Sequence, residues 1–121
     1  IGTAEIYRQV EQLDEVIESL AVGQRWDNDE RIVLFVRLRD GLVLDDALRE
    51  RIRAQIRMGA SPRHVPHKIV AVPDIPYTMN MKKVESAVAN IVNGRPVTNR
   101  EALVNPECLV YFEKILPQLQ D

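Results

Sequence analysis

The stretch from Arg31 to Arg39 constrains the fold more than any other. Ile32, Leu34, Val36 and Leu38 alternate with Val33 and Phe35, so a strand made of these residues carries apolar side chains on both faces at its centre. Such a strand is expected to be covered on both sides. The uninterrupted aliphatic or aromatic run Ile32-Val33-Leu34-Phe35-Val36 falls far short of the roughly 20 apolar residues that cross a bilayer, so no membrane span is expected. With 121 residues, 45% of them apolar and 28% charged, the chain has the make-up of one folded domain around a single core.

The flanking pattern places the other elements. Thr3 is positioned to cap a first helix with Ile6, Val10 and Leu13 inward, ending near Asp14. Residues 16 to 24 read as a strand, Asp27-Asn28-Asp29-Glu30 as a turn, and the two strands as an antiparallel hairpin with Asp40-Gly41 closing the far side. Asp45 or Asp46 starts a second helix with Leu48, Ile52 and Ile56 every fourth residue, stopped by Gly59. A short third strand spans Lys68 to Val72. A third helix is expected from about Lys82 to Asn93, ended by Gly94. The last helix is expected to begin at Asn105-Pro106-Glu107, a cap, an N1 proline and a first-turn acid, and to bury Leu109, Phe112 and Leu116. The order α, β, β, α, β, α, α predicts an α+β domain, a small sheet of about three strands flanked by helices.

Charge is segregated beneath a net value of −2. Eight acids against Arg8 and Arg25 leave residues 1 to 30 at −6. Arg49, Arg51, Arg53, Arg57, Arg63 and Lys68 against Glu50 leave residues 49 to 68 at +5, a surface suited to phosphates or simply to solvent. Three tyrosines, two phenylalanines and one tryptophan, not interleaved with the basic residues, give few stacking surfaces for single-stranded RNA, and nucleic acid is not an expected partner. Cys108 has no cysteine to pair with, no zinc spacing and no nearby histidine. It reads as a small core residue in a reducing, cytoplasmic setting. The chain opens on Ile1 without a basic stretch and apolar h-region, and reads as a fragment without a visible secretory signal.

Chemistry has one natural place in this pattern. Pro73-Asp74-Ile75-Pro76-Tyr77-Thr78-Met79-Asn80-Met81-Lys82-Lys83 is a stiffened loop. With Asn80 as a cap, it would put two lysines in the first turn of the third helix, where the helix dipole is already positive. The conflict is relieved if Lys82 or Lys83 leans toward a carboxylate or phosphate. His64 and His67 are separated by Pro66 and lack a third ligand, so no metal site is expected. No glycine-rich phosphate loop, nucleophile elbow or acid pair stands out.

The segment Ile1-Gly2-Thr3-Ala4-Glu5-Ile6 resembles the stretch just after the hinge in short-chain acyl-CoA synthetases of the adenylate-forming superfamily. The loop at 73 to 83 is similar to that superfamily's final motif, a proline loop ending in Gly-Lys. The tail Val92-Asn93-Gly94-Arg95-Pro96-Val97-Thr98-Asn99-Arg100, with Asn105-Pro106-Glu107, resembles the acetoacetyl-CoA synthetase branch. The resemblance implies that residues 1–121 form a single mobile C-terminal domain, inactive alone, of a larger AMP-forming ligase whose N-terminal domain holds ATP and the acid. In that setting acetoacetate would attack the α-phosphate of ATP, and the thiol of CoA would then displace AMP. ATP and CoA would be substrates, with Mg²⁺ accompanying ATP, and no cofactor would be tightly bound here.

Carried over by position, Lys82 is the catalytic motif lysine, and Arg57 matches a position that contacts the CoA nucleotide. One departure stands out: Met81 occupies the place of the usual glycine, which permits backbone conformations that methionine resists. Two other readings remain at this level: a ligase domain disabled at Met81, and a freestanding module that binds anions or nucleic acid through residues 49 to 68.

Overall fold

The computed structural model describes residues 2–121; Ile1, the first residue of the hinge-like stretch, lies outside them. Strand β1 (Val16–Trp26) pairs antiparallel with β2 (Asp29–Leu38), Trp26 opposite Asp29. The two-residue loop between them, Asp27 and Asn28, has φ of 54° and 61°, the left-handed conformation that keeps a tight hairpin in step with strand twist. At the other end of β2, Gly41 takes φ 86° in the turn closed by Leu42 N–H donating to the Arg39 carbonyl at 3.1 Å. Strand β3 (Lys68–Ala71) joins the free side of β2 in parallel, Leu34 opposite Ile69, so the sheet order is β1-β2-β3. A parallel partner needs a crossover, and α2 (Asp46–Gly59) supplies it.

The central strand does what its double apolar pattern predicts. Val33, Leu34, Phe35 and Val36 are fully buried and divide between two cores. On one face Leu34 and Val36 meet Ile6 and Val10 of α1 (Thr3–Val10) and Leu48, Ile52 and Ile56 of α2. On the other, Val33 and Phe35 meet α3 (Glu85–Val92) and α4 (Leu109–Lys114). The rings of Phe35 and Phe112 stand edge to face, centroids 4.9 Å apart at 78°, worth about 0.5–1.5 kcal/mol beyond burial. The expected α+β class therefore holds, with the three-strand sheet lying between two pairs of helices.

Four boundaries differ from expectation. The first helix ends at Val10, and Thr3 does not cap it; the cap position is Gly2, and the Thr3 hydroxyl instead donates to Glu85 Oε2 at 2.7 Å. Gly59 is the last residue of α2 and Ala60 its cap. A Cβ there would lie 2.0 Å from Gln9 Oε1, so the Gln9 amide would have to move to admit one. The third helix starts at Glu85, not near Lys82, because Lys83 is engaged in an antiparallel bridge with Tyr77 and Val84 N–H donates to the Pro76 carbonyl at 3.0 Å. Asn105 does not cap the last helix. Its side chain accepts from Tyr77 N–H at 3.0 Å and donates to Asp74 Oδ2 and the Ile75 carbonyl at 2.9 Å. A 3₁₀ turn at Pro106–Cys108 leads into α4 instead.

Candidate functional site: the hairpin that carries Lys82

The proline loop folds into a miniature hairpin. Thr78 N–H donates to the Lys82 carbonyl and Met81 N–H to the Thr78 carbonyl, both at 2.9 Å. Met79, Asn80 and Met81 thus form a three-residue loop whose last member takes φ 62°. That is the left-handed position where such hairpins favour glycine. Met81 reaches it with its side chain 71% exposed, so the strain is in the backbone and not in a steric clash. Tethers fix the hairpin from beneath: Asn105 holds Tyr77, and Val104 N–H donates to the Tyr77 carbonyl at 2.9 Å.

The two lysines have different surroundings. Lys83 Nζ donates to Glu11 Oε2 and to the Ser19 carbonyl, each at 2.8 Å, and lies 3.6 Å from the Tyr7 ring centroid. Its side chain is only 23% exposed. Lys82 is exposed, its N–H accepted by the Thr78 hydroxyl at 3.3 Å, and among the described residues its ammonium has no carboxylate within ion-pair distance. Neither lysine is in a helix, so the expected conflict with a helix dipole does not arise. Alternation along an extended arm sends consecutive side chains to opposite sides, and one side is occupied by Tyr7 and Glu11.

A polar network surrounds Lys83. The Tyr7 hydroxyl accepts from Ala21 N–H at 3.0 Å and donates to Glu85 Oε2 at 2.5 Å. Burial pushes that phenol above its ordinary value, so it stays protonated and donates. Glu11 Oε2 also accepts from the Ser19 N–H and hydroxyl at 3.1 and 2.8 Å. Tyr7, Glu11 and Glu85 were not singled out in the sequence because their partners lie far along the chain. The available signal was local: read as a strand arm, 82 and 83 must point in opposite directions.

The basic stretch is largely neutralised. Arg49 pairs with Asp46 at 3.1 Å, Arg53 with Glu50 at 3.2 Å, Arg51 with Glu15, and Lys68 with Asp121. Among the described residues Arg57 and Arg63 have no ion pair. Arg57 is exposed in the last turn of α2, at the rim of a groove that it forms with Arg53, Pro62, Val65, Pro66 and His67. No hydrogen bond or ion pair joins it to Lys82. His64 Nδ1 is 2.7 Å from the Ser61 hydroxyl, whereas His67 is held through its backbone, its N–H donating to the Ile32 carbonyl at 2.9 Å. Among the described residues no group of three His, Cys, Asp or Glu is placed to hold a metal, and no helix is long and apolar enough to cross a membrane. Cys108 is 1% exposed, and burial pushes its thiol up to about 12.

Known proteins are similar to nearly the whole chain. No protein-family profile matches it. The acetoacetyl-coenzyme A synthetase of Rhizobium meliloti (strain 1021) is 62% identical over 112 residues, 93% of this chain and 17% of that protein. The acetoacetyl-CoA synthetase of Mus musculus is 48% identical over 121 residues, 99% of this chain and 18% of that protein. Among solved structures, acetoacetyl-CoA synthetase from Streptomyces lividans superposes with a TM-score of 0.87 at 37% identity, covering 99% of this chain and 18% of that one. An acyl-CoA synthetase of Brucella canis shares the fold at 23% identity, with a TM-score of 0.64 over 71% of the chain. The chain thus spans less than a fifth of the length of these acetoacetyl-CoA synthetases. It belongs to the acetoacetyl-CoA synthetase family.

Proposed function

We propose that this chain is the mobile C-terminal domain of a cytoplasmic AMP-forming ligase that activates acetoacetate with ATP and passes it to CoA, with Lys82 as its adenylation lysine. The observation that carries the reading is the unpaired, exposed ammonium of Lys82 on a hairpin arm otherwise held on several sides. The acid is taken from the names of the relatives. The remainder of the enzyme, beyond this chain, supplies the binding sites for ATP and acetoacetate, so the domain alone is inactive.

Adenylation brings a carboxylate against a phosphate, two anions that repel each other. A cation held between them offsets the charge that builds up on the attacking and phosphoryl oxygens, and removing such a group costs about 2.7–4 kcal/mol. Lysine suits the task because its four-carbon stem reaches out of one domain into a site built by another. Magnesium accompanies ATP and supplies further phosphate neutralisation. In the second half-reaction Arg57, unpaired at its groove, contacts the nucleotide of CoA. Met81 reproduces the left-handed backbone that a glycine would give, which supports an active domain over a disabled one.

The test uses the full-length protein, native and Lys82→Ala. Pyrophosphate release with ATP and acetoacetate is measured separately from thioester formation from preformed acetoacetyl-AMP and CoA. The expected result is a loss of about 10²–10³ in adenylation with thioester formation largely spared. Equal adenylation by both proteins, or by neither, overturns the assignment.

A further inference from the structure

The cation beside Lys82 has its own set of partners, and no feature of the two half-reactions accounts for them. Lys83 Nζ is fixed by a carboxylate oxygen of Glu11, the Ser19 carbonyl and the face of Tyr7. These groups come from α1, the turn that follows it and β1, more than sixty residues away in sequence from Lys83. Each partner is itself held. Tyr7 is bonded to Ala21 and Glu85, and Glu11 to Ser19. A carboxylate, a carbonyl and a ring face around one ammonium leave it little rotational freedom, and the cation–ring contact strengthens where water is displaced. Lys82 is joined to this fixed point by one peptide bond, and its carbonyl is committed to Thr78 N–H.

We propose that Lys83 is a positioning residue for Lys82: its clamp on Glu11, Ser19 and Tyr7 seats the hairpin arm against α1 and β1, so that the Lys82 stem leaves the domain from a fixed root. The inference rests on the reading of Lys82 as the adenylation lysine. It explains why two adjacent lysines have opposite environments. It also explains why a tyrosine on α1 is turned toward a loop distant from it in sequence. A displaced root costs rate because a catalytic group misplaced by about 1 Å can lose about 10² in rate.

The experiment again uses the full-length protein, with Lys83→Met, Lys83→Arg, Lys82→Ala and the Lys82→Ala/Lys83→Met double variant. Urea denaturation checks that each is folded. Lys83→Met is expected to lower the turnover of pyrophosphate release about 10-fold while thioester formation from acetoacetyl-AMP is retained. Lys83→Arg keeps a cation over the Tyr7 ring and restores most of the adenylation rate. In the double variant, adenylation falls no further than in Lys82→Ala, because residues acting through one another are not additive.

If Lys82→Ala is crippled and Lys83→Met is not, the positioning role is overturned and the Lys82 assignment stands. If Lys82→Ala adenylates normally, both fall. Equal losses in the two half-reactions, or additive losses in the double variant, show a merely structural or independent role and overturn the inference. Should Lys83→Met not fold, Glu11→Gln removes the facing charge and is expected to lower adenylation in the same selective way; unchanged adenylation there overturns the clamp.

Discussion

The N–H of Met81 donates to the carbonyl of Thr78 at 2.9 Å, closing a turn in which Met81 takes φ 62°. A side chain in the left-handed region costs about 1–2 kcal/mol, against about 0.5–1 kcal/mol for the extra backbone freedom of a glycine. Met81→Gly is therefore expected to stabilise the chain by about 0.5–1 kcal/mol, raising Tm by about 2–5 °C. Met81→Val is expected to lower it. Thermal unfolding of the three proteins checks the sign, and an unchanged or lower Tm for Met81→Gly contradicts the left-handed assignment.

Gly59 and Gln9 form a second close approach. Gln9 is buried, donates to the Gly59 carbonyl at 3.2 Å and accepts from Gln55 Nε2 at 3.0 Å. Gly59→Ala forces that amide aside and is expected to cost about 1–3 kcal/mol. In a Gln9→Ala background the obstruction is gone, and the same substitution is expected to be neutral or to gain up to about 1 kcal/mol from helix propensity. Urea midpoints of the four proteins measure the reversal.

Glu15 and Arg51 tie the segment before β1 to α2. The guanidinium holds the Glu15 carboxyl below its ordinary value, so the folded state binds its proton less readily than the unfolded chain. The pair's contribution is complete above the unfolded glutamate value of about 4.3 and disappears as pH falls through the lower folded value. Native protein and Arg51→Gln, compared by urea denaturation, are expected to differ most near neutral pH. They should converge once the pH has fallen below the lowered folded value and also in about 1 M salt, which screens an exposed pair.

Cys108 offers a chemical check on the core around Phe112. With its thiol pushed up to about 12 and its side chain buried, almost no thiolate forms at about pH 8, where a thiol reagent attacks the anion. Labelling is expected to be slow in the folded protein and rapid in denaturant. Rapid labelling of the native chain would show that the packing of α4 is looser than described.

The order of elements was legible because hydrophobic spacing is a local property. Ile32 to Leu38 identified the strand buried on both faces, and Leu48, Ile52 and Ile56 the inward stripe of α2. The end of α1 and the start of α3 were misplaced. At the start of α3, Lys83 is withdrawn from helix by its bridge to Tyr77, which local spacing does not reveal. Asn105 looked like a helix cap and serves the proline loop instead, since an amide follows whichever backbone groups the tertiary fold leaves nearby.

The sequence by itself determined an α+β domain built on a doubly covered strand, and a proline loop with two lysines and a methionine where glycine is usual. Alternating and fourfold spacing of apolar side chains is sufficient for that, because burial follows periodicity. Only the tertiary structure decided that Lys83 is clamped while Lys82 is free, and that Arg51 and Lys68 are paired with the distant Glu15 and Asp121. A charge's neighbours are set by which elements pack together, and here the clamp depends on Tyr7, Glu11 and Ser19 meeting residue 83 across most of the chain.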